Sequence, residues 1–209
     1  MQLRKFTTTA CAAALAALSF GAQAQISGGS VKIGVLTDLS GTYSDLAGSG
    51  AVLATKMAID DFIANEKPTF KIEMVSADHQ NKPDIAAAKA REWIDTQGLT
   101  MLFGGTSSGT ALAMAKLAQE KKRVFIVNGA GSSALTNEQC SPYTVHYAYD
   151  TVALAKGTGG ALIARGDKNW YFVTADYAFG HALEADASRV VKAAGGTVVG
   201  GVRTPLNTS

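Results

Sequence analysis

Leu102-Phe103-Gly104-Gly105-Thr106-Ser107-Ser108-Gly109-Thr110 joins two patterns. An apolar run, Met101 to Phe103, ends in a Gly/Ser turn, and an Ala/Leu-rich helical pattern begins at once. In an open α/β sheet that junction sits at the C-terminal edge of a parallel strand. Small side chains there let the next helix present free N–H groups to a ligand. The hydroxyls of Thr106, Ser107 and Ser108 suit a carboxylate or another acceptor-rich group, whereas helix capping alone needs one hydroxyl. No Gly-Lys-Ser/Thr follows at Walker spacing, and Gly104-Gly105 makes no dinucleotide fingerprint.

Outward from this stretch, the chain alternates strand and helix. Val31 to Leu36 is a mostly buried first strand ending in the polar turn Thr37 to Tyr43. Helical spacing follows from Gly48 to about Asn65, with Val52, Met57, Ala58, Ile59 and Phe62 on the apolar side. Phe70, Ile72 and Met74 alternate with Lys71 and Glu73, which places this second strand near a sheet edge. Pro83 and Asp84 open a helix to about Thr96, and Gly98 closes it. Met101–Phe103, a helix from about Thr110 to Lys121, and the strand Val124–Val127 come next.

Asn128-Gly129-Ala130-Gly131-Ser132-Ser133 repeats the opening device, a buried strand running into a Gly/Ser turn. Backbone groups at Gly129 and Ala130, with Ser132, are candidates for the polar end of a pocket. Val145 to Asp150 is aromatic and extended and is expected to cross between two α/β units. A helix from Thr151 to about Arg165, a strand at Trp170–Val173, a helix from about His181 to Ala194 and a strand at Thr197–Val202 complete the order. Short βαβα connections predict parallel sheets covered by helices. The expected organisation is a signal peptide over 1–24, a first α/β lobe over 25–147, and the start of a second over 148–209. That second lobe is expected to be incomplete, cut after two strands.

The signal-peptide expectation rests on Arg4 and Lys5, an apolar run from about Ala10 to Phe20, and Ala22-Gln23-Ala24 as an A-x-A cleavage site. The run is too short to span a bilayer, and Cys11 lacks a lipoprotein-type context. Without Arg4 and Lys5, the 19 basic residues become 17 against 17 acidic ones, so the mature part is formally neutral. No basic patch with interleaved aromatics marks a nucleic-acid partner. Cys140 alone remains after processing, either buried or paired with a cysteine beyond residue 209.

Tyr43, Tyr149, Tyr177 and Phe179 all fall on loops or crossings at the proposed ligand edge rather than on core stripes. Aromatic walls of this kind close on flat or branched apolar ligand bodies. His79, His146 and His181 are scattered without Asp or Cys at metal-ligand spacing, so neither a metal nor another cofactor is expected. Asp38, Asp78 and Asp176 each follow a strand, as phosphoryl-transfer aspartates do. No Gly-x-Ser-x-Gly elbow and no phosphate-loop lysine accompany them, so an enzyme is not expected.

Val31-Lys32-Ile33-Gly34-Val35 with Ser40-Gly41, Gly104 to Ala111, Gly129 to Thr136 and Ala175-Asp176-Tyr177-Ala178-Phe179-Gly180 follow one another in order. Across residues 31–209 the chain resembles the periplasmic substrate-binding proteins of ATP-driven transporters, in the branched-chain amino acid (Leu/Ile/Val) class. The resemblance implies a type I, two-lobed fold that closes on a small-molecule ligand and docks on membrane permease subunits. It also implies a periplasmic location. Ser107 matches the hydroxyl that takes the ligand carboxylate, Gly129 a backbone carbonyl near the ligand ammonium, and Phe179 a second-lobe aromatic at the ligand. Gly131 stands where amino-acid binders commonly carry Thr, and Leu46 where they often carry an aromatic. These departures make the chain more similar to relatives proposed to take up aromatic or other organic acids.

The function expected on this basis is capture and delivery of an amino-acid-like or organic-acid ligand to an ABC-type importer, without chemistry. A periplasmic sensor presenting its closed form to a receptor, and a secreted α/β enzyme, are the alternatives.

Overall fold

The computed structural model describes Ile26 and residues 29–206; the expected signal peptide lies outside them. Strands β1 (Ser30–Thr37), β2 (Lys71–Asp78), β3 (Met101–Gly104), β4 (Val124–Val127) and β5 (Thr144–His146) form one sheet in the order β2-β1-β3-β4-β5. Every pairing in it is parallel. The helices between them are α1 (Gly48–Glu66), α2 (Pro83–Gln97) and α3 (Ser108–Lys121). A second parallel pair, β6 (Asn169–Ala175) and β7 (Thr197–Thr204), encloses α5 (Ala178–Ala193). Between the two sheets runs α4, a helical segment over 151–164.

The strand order explains where a ligand can sit. The chain moves from β1 outward to β2, then jumps back across β1 to β3 and β4. Right-handed crossovers then put α1 on one face of the sheet and α2 and α3 on the other. The loops after β1 and β3 therefore part at the C-terminal edge and leave a crevice between them. Leu36, Trp93, Leu102, Met114, Leu117 and Phe125 fill the layer between the sheet and α2 and α3. Burying this apolar surface is the main force holding those helices down.

Several expectations shift in detail. β2 lies at the sheet edge, as its alternation predicts. Residues 144–146 are not yet a crossing: they pair with β4 as the opposite edge of the first sheet, and the chain leaves that sheet after His146. The 151–164 helix is interrupted by a π turn at Ala155–Gly159, where the sequence Ala-Lys-Gly-Thr-Gly weakens α-helical preference. Met57 and Phe62, placed by spacing on the apolar side of α1, are 57% and 43% exposed. Val52 and Ile59, half-buried, turn towards β1 and β2, and among the described residues nothing covers Met57 and Phe62. Cys140 is exposed and unpaired among the described residues, which removes the buried one of the two alternatives.

Candidate functional site

Three loops at the C-terminal edge build the floor of the site. The first follows β1. The buried Asp38 carboxylate accepts the N–H groups of Gly41 (2.7 Å) and Tyr43 (2.9 Å). Asp78, at the end of β2, accepts the Leu39 N–H (2.9 Å), the Gln80 N–H (2.7 Å) and the Ser40 hydroxyl (2.5 Å). The two strand-end aspartates thus shape the turn that carries Tyr43. Burial alone raises the Asp78 pKa, but the Ser40 hydroxyl and the Gln80 and Leu39 amides outweigh it and hold the carboxyl below its ordinary value. His79 is fully buried, and burial pushes its imidazole below the ordinary value against the pull of Asp38 and Asp78. Its Nδ1 accepts the Asn81 N–H at 3.0 Å, which matches a neutral ring.

The second loop is the Gly/Ser stretch after β3. Gly104 has φ 136°, and a Cβ there would overlap the Leu36 carbonyl oxygen. Gly105 has φ 77°, and a Cβ would stand 3.0 Å from both the Phe125 ring and the Ala111 methyl. Only glycine fits this tight passage from strand to helix. Ser107 is the N-cap of α3 with extended backbone, φ −86° and ψ 138°, yet its hydroxyl makes no cap hydrogen bond. The Thr106 hydroxyl is buried without a partner. Two hydroxyls beside a helix N-terminus therefore keep hydrogen-bonding capacity that local structure does not use. Ser108 differs, because its oxygen accepts the Ser132 N–H at 3.2 Å.

In the third loop, Gly129 packs against Thr106, where an added Cβ would stand 3.1 Å from its Cα. Ala130 and Ser132 turn away from the crevice. Ala130 is buried, donates its N–H to the Gly105 carbonyl (2.9 Å) and lies 2.6 Å through its own oxygen from His146 Nε2. The Ser132 oxygen accepts the Ala134 N–H (3.3 Å) and so caps a 3-10 turn over Ser133–Leu135. Neither lines the hollow, which corrects their expected role. Extended backbone alternates its directions, so Gly129 and Gly131 face the hollow while Ala130 and Ser132 face inward.

The opposite wall comes from the rest of the chain. Tyr149, Tyr177 and Phe179 meet the floor around a hollow of about 50 Å³. Its other lining residues are Tyr43, Thr106, Ser107, Ser108, Gly129, and two residues outside the expected set, Leu46 and Gly131. Tyr149 and Phe179 stand edge to face, 6.4 Å between centroids at 88°, and Tyr177 and Phe179 lie 6.0 Å apart at 38°. Burial, then a hydrogen-bonding contact with Tyr43, holds the Tyr177 phenol neutral well above the ordinary tyrosine range. Leu46 and Gly131 are the two positions at which the resemblance marked departures from amino-acid binders, and both line the hollow.

A larger hollow of about 460 Å³ lies against the two-stranded sheet, lined by residues such as Leu154, Trp170, Phe172, Leu183 and Ala187. Its walls are core-facing side chains of β6, α4 and α5 rather than convergent polar groups. The smaller hollow is the better site, because there unspent hydroxyls, a helix N-terminus and aromatic faces coincide. The remaining candidate acids and histidines have structural partners: Asp176 pairs with His181 at 2.6 Å, and Asp38 and Asp78 shape the Tyr43 turn. Among the described residues no group of three His, Cys, Asp or Glu side chains is arranged to hold a metal ion.

Comparison with known proteins places this geometry among relatives. The profile of the family described as "Periplasmic binding protein" matches residues 30–209. The chain is 29% identical over 187 residues to Leu/Ile/Val-binding protein homolog 6 of Brucella abortus, covering 86% of this chain and 45% of that one. A periplasmic binding protein of Burkholderia mallei of solved structure is 59% identical with a TM-score of 0.80, over 87% of this chain and 48% of that chain. An ABC-transporter solute-binding protein of Rhodopseudomonas palustris, solved in complex with p-hydroxybenzoic acid, is 30% identical with a TM-score of 0.71. That match covers 86% of this chain and 48% of the other. The chain spans about half the length of the relatives it matches.

Proposed function

Because the chain belongs to the periplasmic binding protein family, we propose that it captures a small organic carboxylate between its two lobes and delivers it to the membrane subunits of an ABC importer. Delivery involves no chemistry on the ligand. The carboxylate docks on the Ser107 and Thr106 hydroxyls and the N-terminus of α3. Its flat apolar body lies against Tyr149, Tyr177 and Phe179. Export by the N-terminal basic and apolar segment brings the protein to the periplasm.

One observation carries this reading: unused hydroxyls at a helix N-terminus face an aromatic wall from the other lobe across one hollow. A benzoate-type acid has both halves of the matching chemistry, as does the p-hydroxybenzoic acid bound by the Rhodopseudomonas palustris relative. The hollow of about 50 Å³ has room for about one or two waters. Ligand therefore enters a more open form, and its greater affinity for the closed one drives closure.

A thermal-shift screen of the intact protein (this chain with any remaining part of its gene product) tests the reading. Benzoate, 4-hydroxybenzoate and leucine are compared at equal concentration. A specific rise in midpoint with the benzoates supports it. No shift with any small acid, or turnover of the ligand on prolonged incubation, overturns it.

A further inference from the structure

Asp186 lies in the middle of α5 on its inner face, 3% exposed, and is a carboxylate in an otherwise apolar stripe with Leu183, Ala187 and Val191. Its Oδ2 accepts the Ser133 hydroxyl at 2.8 Å and the Thr151 hydroxyl at 2.6 Å. Its Oδ1 accepts the Arg189 guanidinium N–H at 2.7 Å. A buried carboxylate is costly unless such donors surround it, and here they come from three separate segments.

The donors are themselves joined. The Ser133 N–H donates to Thr151 Oγ1 (3.0 Å), and the Thr151 N–H donates to the Gly131 carbonyl (2.8 Å). One residue back, the Ser132 N–H reaches Ser108 Oγ at the start of α3. A continuous set of hydrogen bonds thus runs from α3, beside Ser107, through the Gly131–Ser133 turn and the start of α4, to the centre of α5. Phe179 sits two turns up α5 from Asp186, a rise of about 10 Å. Tilting α5 about this anchor swings Phe179 and Tyr177 across the hollow.

We propose that Asp186 is a positioning residue that fixes α5 against the Gly131–Ser133 turn and thereby sets the angle between the two lobes. The Ser133 and Thr151 hydroxyls act as the bearing, and the carboxylate is the pin. The proposal rests on closure of the two lobes over the hollow. Its test uses no ligand, so its failure and failure of the ligand assignment are told apart.

Spin labels on the exposed Cys140 and on Lys192→Cys, with any other cysteine replaced by serine, report the distance between lobes in the intact, ligand-free protein. The parent gives one narrow distribution. Asp186→Ala widens it by about twofold or more. Asp186→Asn, which keeps a carbonyl oxygen for the two hydroxyls, restores most of the narrowness. A lower thermal midpoint with an unchanged distribution means a merely structural acid and overturns the proposal, as does an Asn variant as broad as the Ala one. Should Asp186→Ala fail to fold, Ser133→Ala takes its place: widening supports the proposal, and a parent-like width overturns it.

Discussion

Tyr149 and Phe179 meet edge to face at 6.4 Å directly over Gly131. A Cβ on Gly131 would stand 2.7 Å from Tyr149 Cε2 and 2.9 Å from Phe179 Cε2. Its φ is not in the left-handed region, so the glycine is there for space. Two rings from different parts of the chain use that space to close the hollow. Gly131→Ala is expected to part the rings, and overpacking of this kind costs about 1–3 kcal/mol. Calorimetry with 4-hydroxybenzoate should show weaker binding by that order, and unchanged affinity removes Gly131 from the closure contact.

Ser107 and Ser132 make a matched pair of tests. The Ser107 hydroxyl caps nothing, so Ser107→Ala should leave the thermal midpoint near that of the parent while weakening carboxylate binding by about 1–3 kcal/mol. The Ser132 oxygen caps the 3-10 turn, so Ser132→Ala should lower stability by about 1 kcal/mol through that local contact. The two variants are compared by calorimetry and chemical denaturation. Loss of stability without loss of affinity in Ser107→Ala contradicts the assignment.

Acid should loosen the Tyr43 turn. The folded-state pKa of Asp78 is lowered from 3.8, so the stability it contributes is present above that value and is lost as pH falls through the lowered one. Protonation turns one carboxyl oxygen into a donor and removes the charge that strengthens the hydrogen bonds from Leu39, Ser40 and Gln80. Stability followed by chemical denaturation as pH falls through the acid range should drop, and Asp78→Asn should flatten that part of the profile. An unaltered profile in the variant excludes Asp78 as its source.

Alkali should act on the opposite wall. The Tyr177 pKa is raised from 10.0 by burial first and then by Tyr43. Its contribution to stability is whole below the ordinary tyrosine value and is lost as pH rises beyond it. Ultraviolet titration should show one tyrosine lagging behind the others, and Tyr177→Phe should abolish that lagging phase. Persistence of the phase in Tyr177→Phe assigns it elsewhere.

Much of this architecture is legible in residue order because buried apolar runs ending in Gly/Ser turns are strong signals of parallel strands. The start of α5 is less so. Its N-cap is Tyr177, which offers no capping oxygen, so the helix begins three residues before the position that composition suggests. Tyr43, Tyr149 and Tyr177 could be assigned to the ligand edge because each lies in a strand-end loop or crossing, whereas Phe179, read as a loop residue, lies in the first turn of α5. Ala130 and Ser132 were indistinguishable from their glycine neighbours, since direction along an extended turn depends on register rather than residue type. Asp186 did leave a trace, an acid on the apolar face of a helix. Which donors surround it depends on contacts with Ser133 and Thr151, distant in sequence, and no periodicity encodes those.

The most direct measurement is a crystal structure of the intact protein with 4-hydroxybenzoate bound. The account predicts the carboxylate within hydrogen-bonding distance of the Ser107 hydroxyl, with the ring against Tyr149 and Phe179. Ligand seated instead in the apolar hollow between β6 and α5, with the Ser107 hydroxyl untouched, would contradict it.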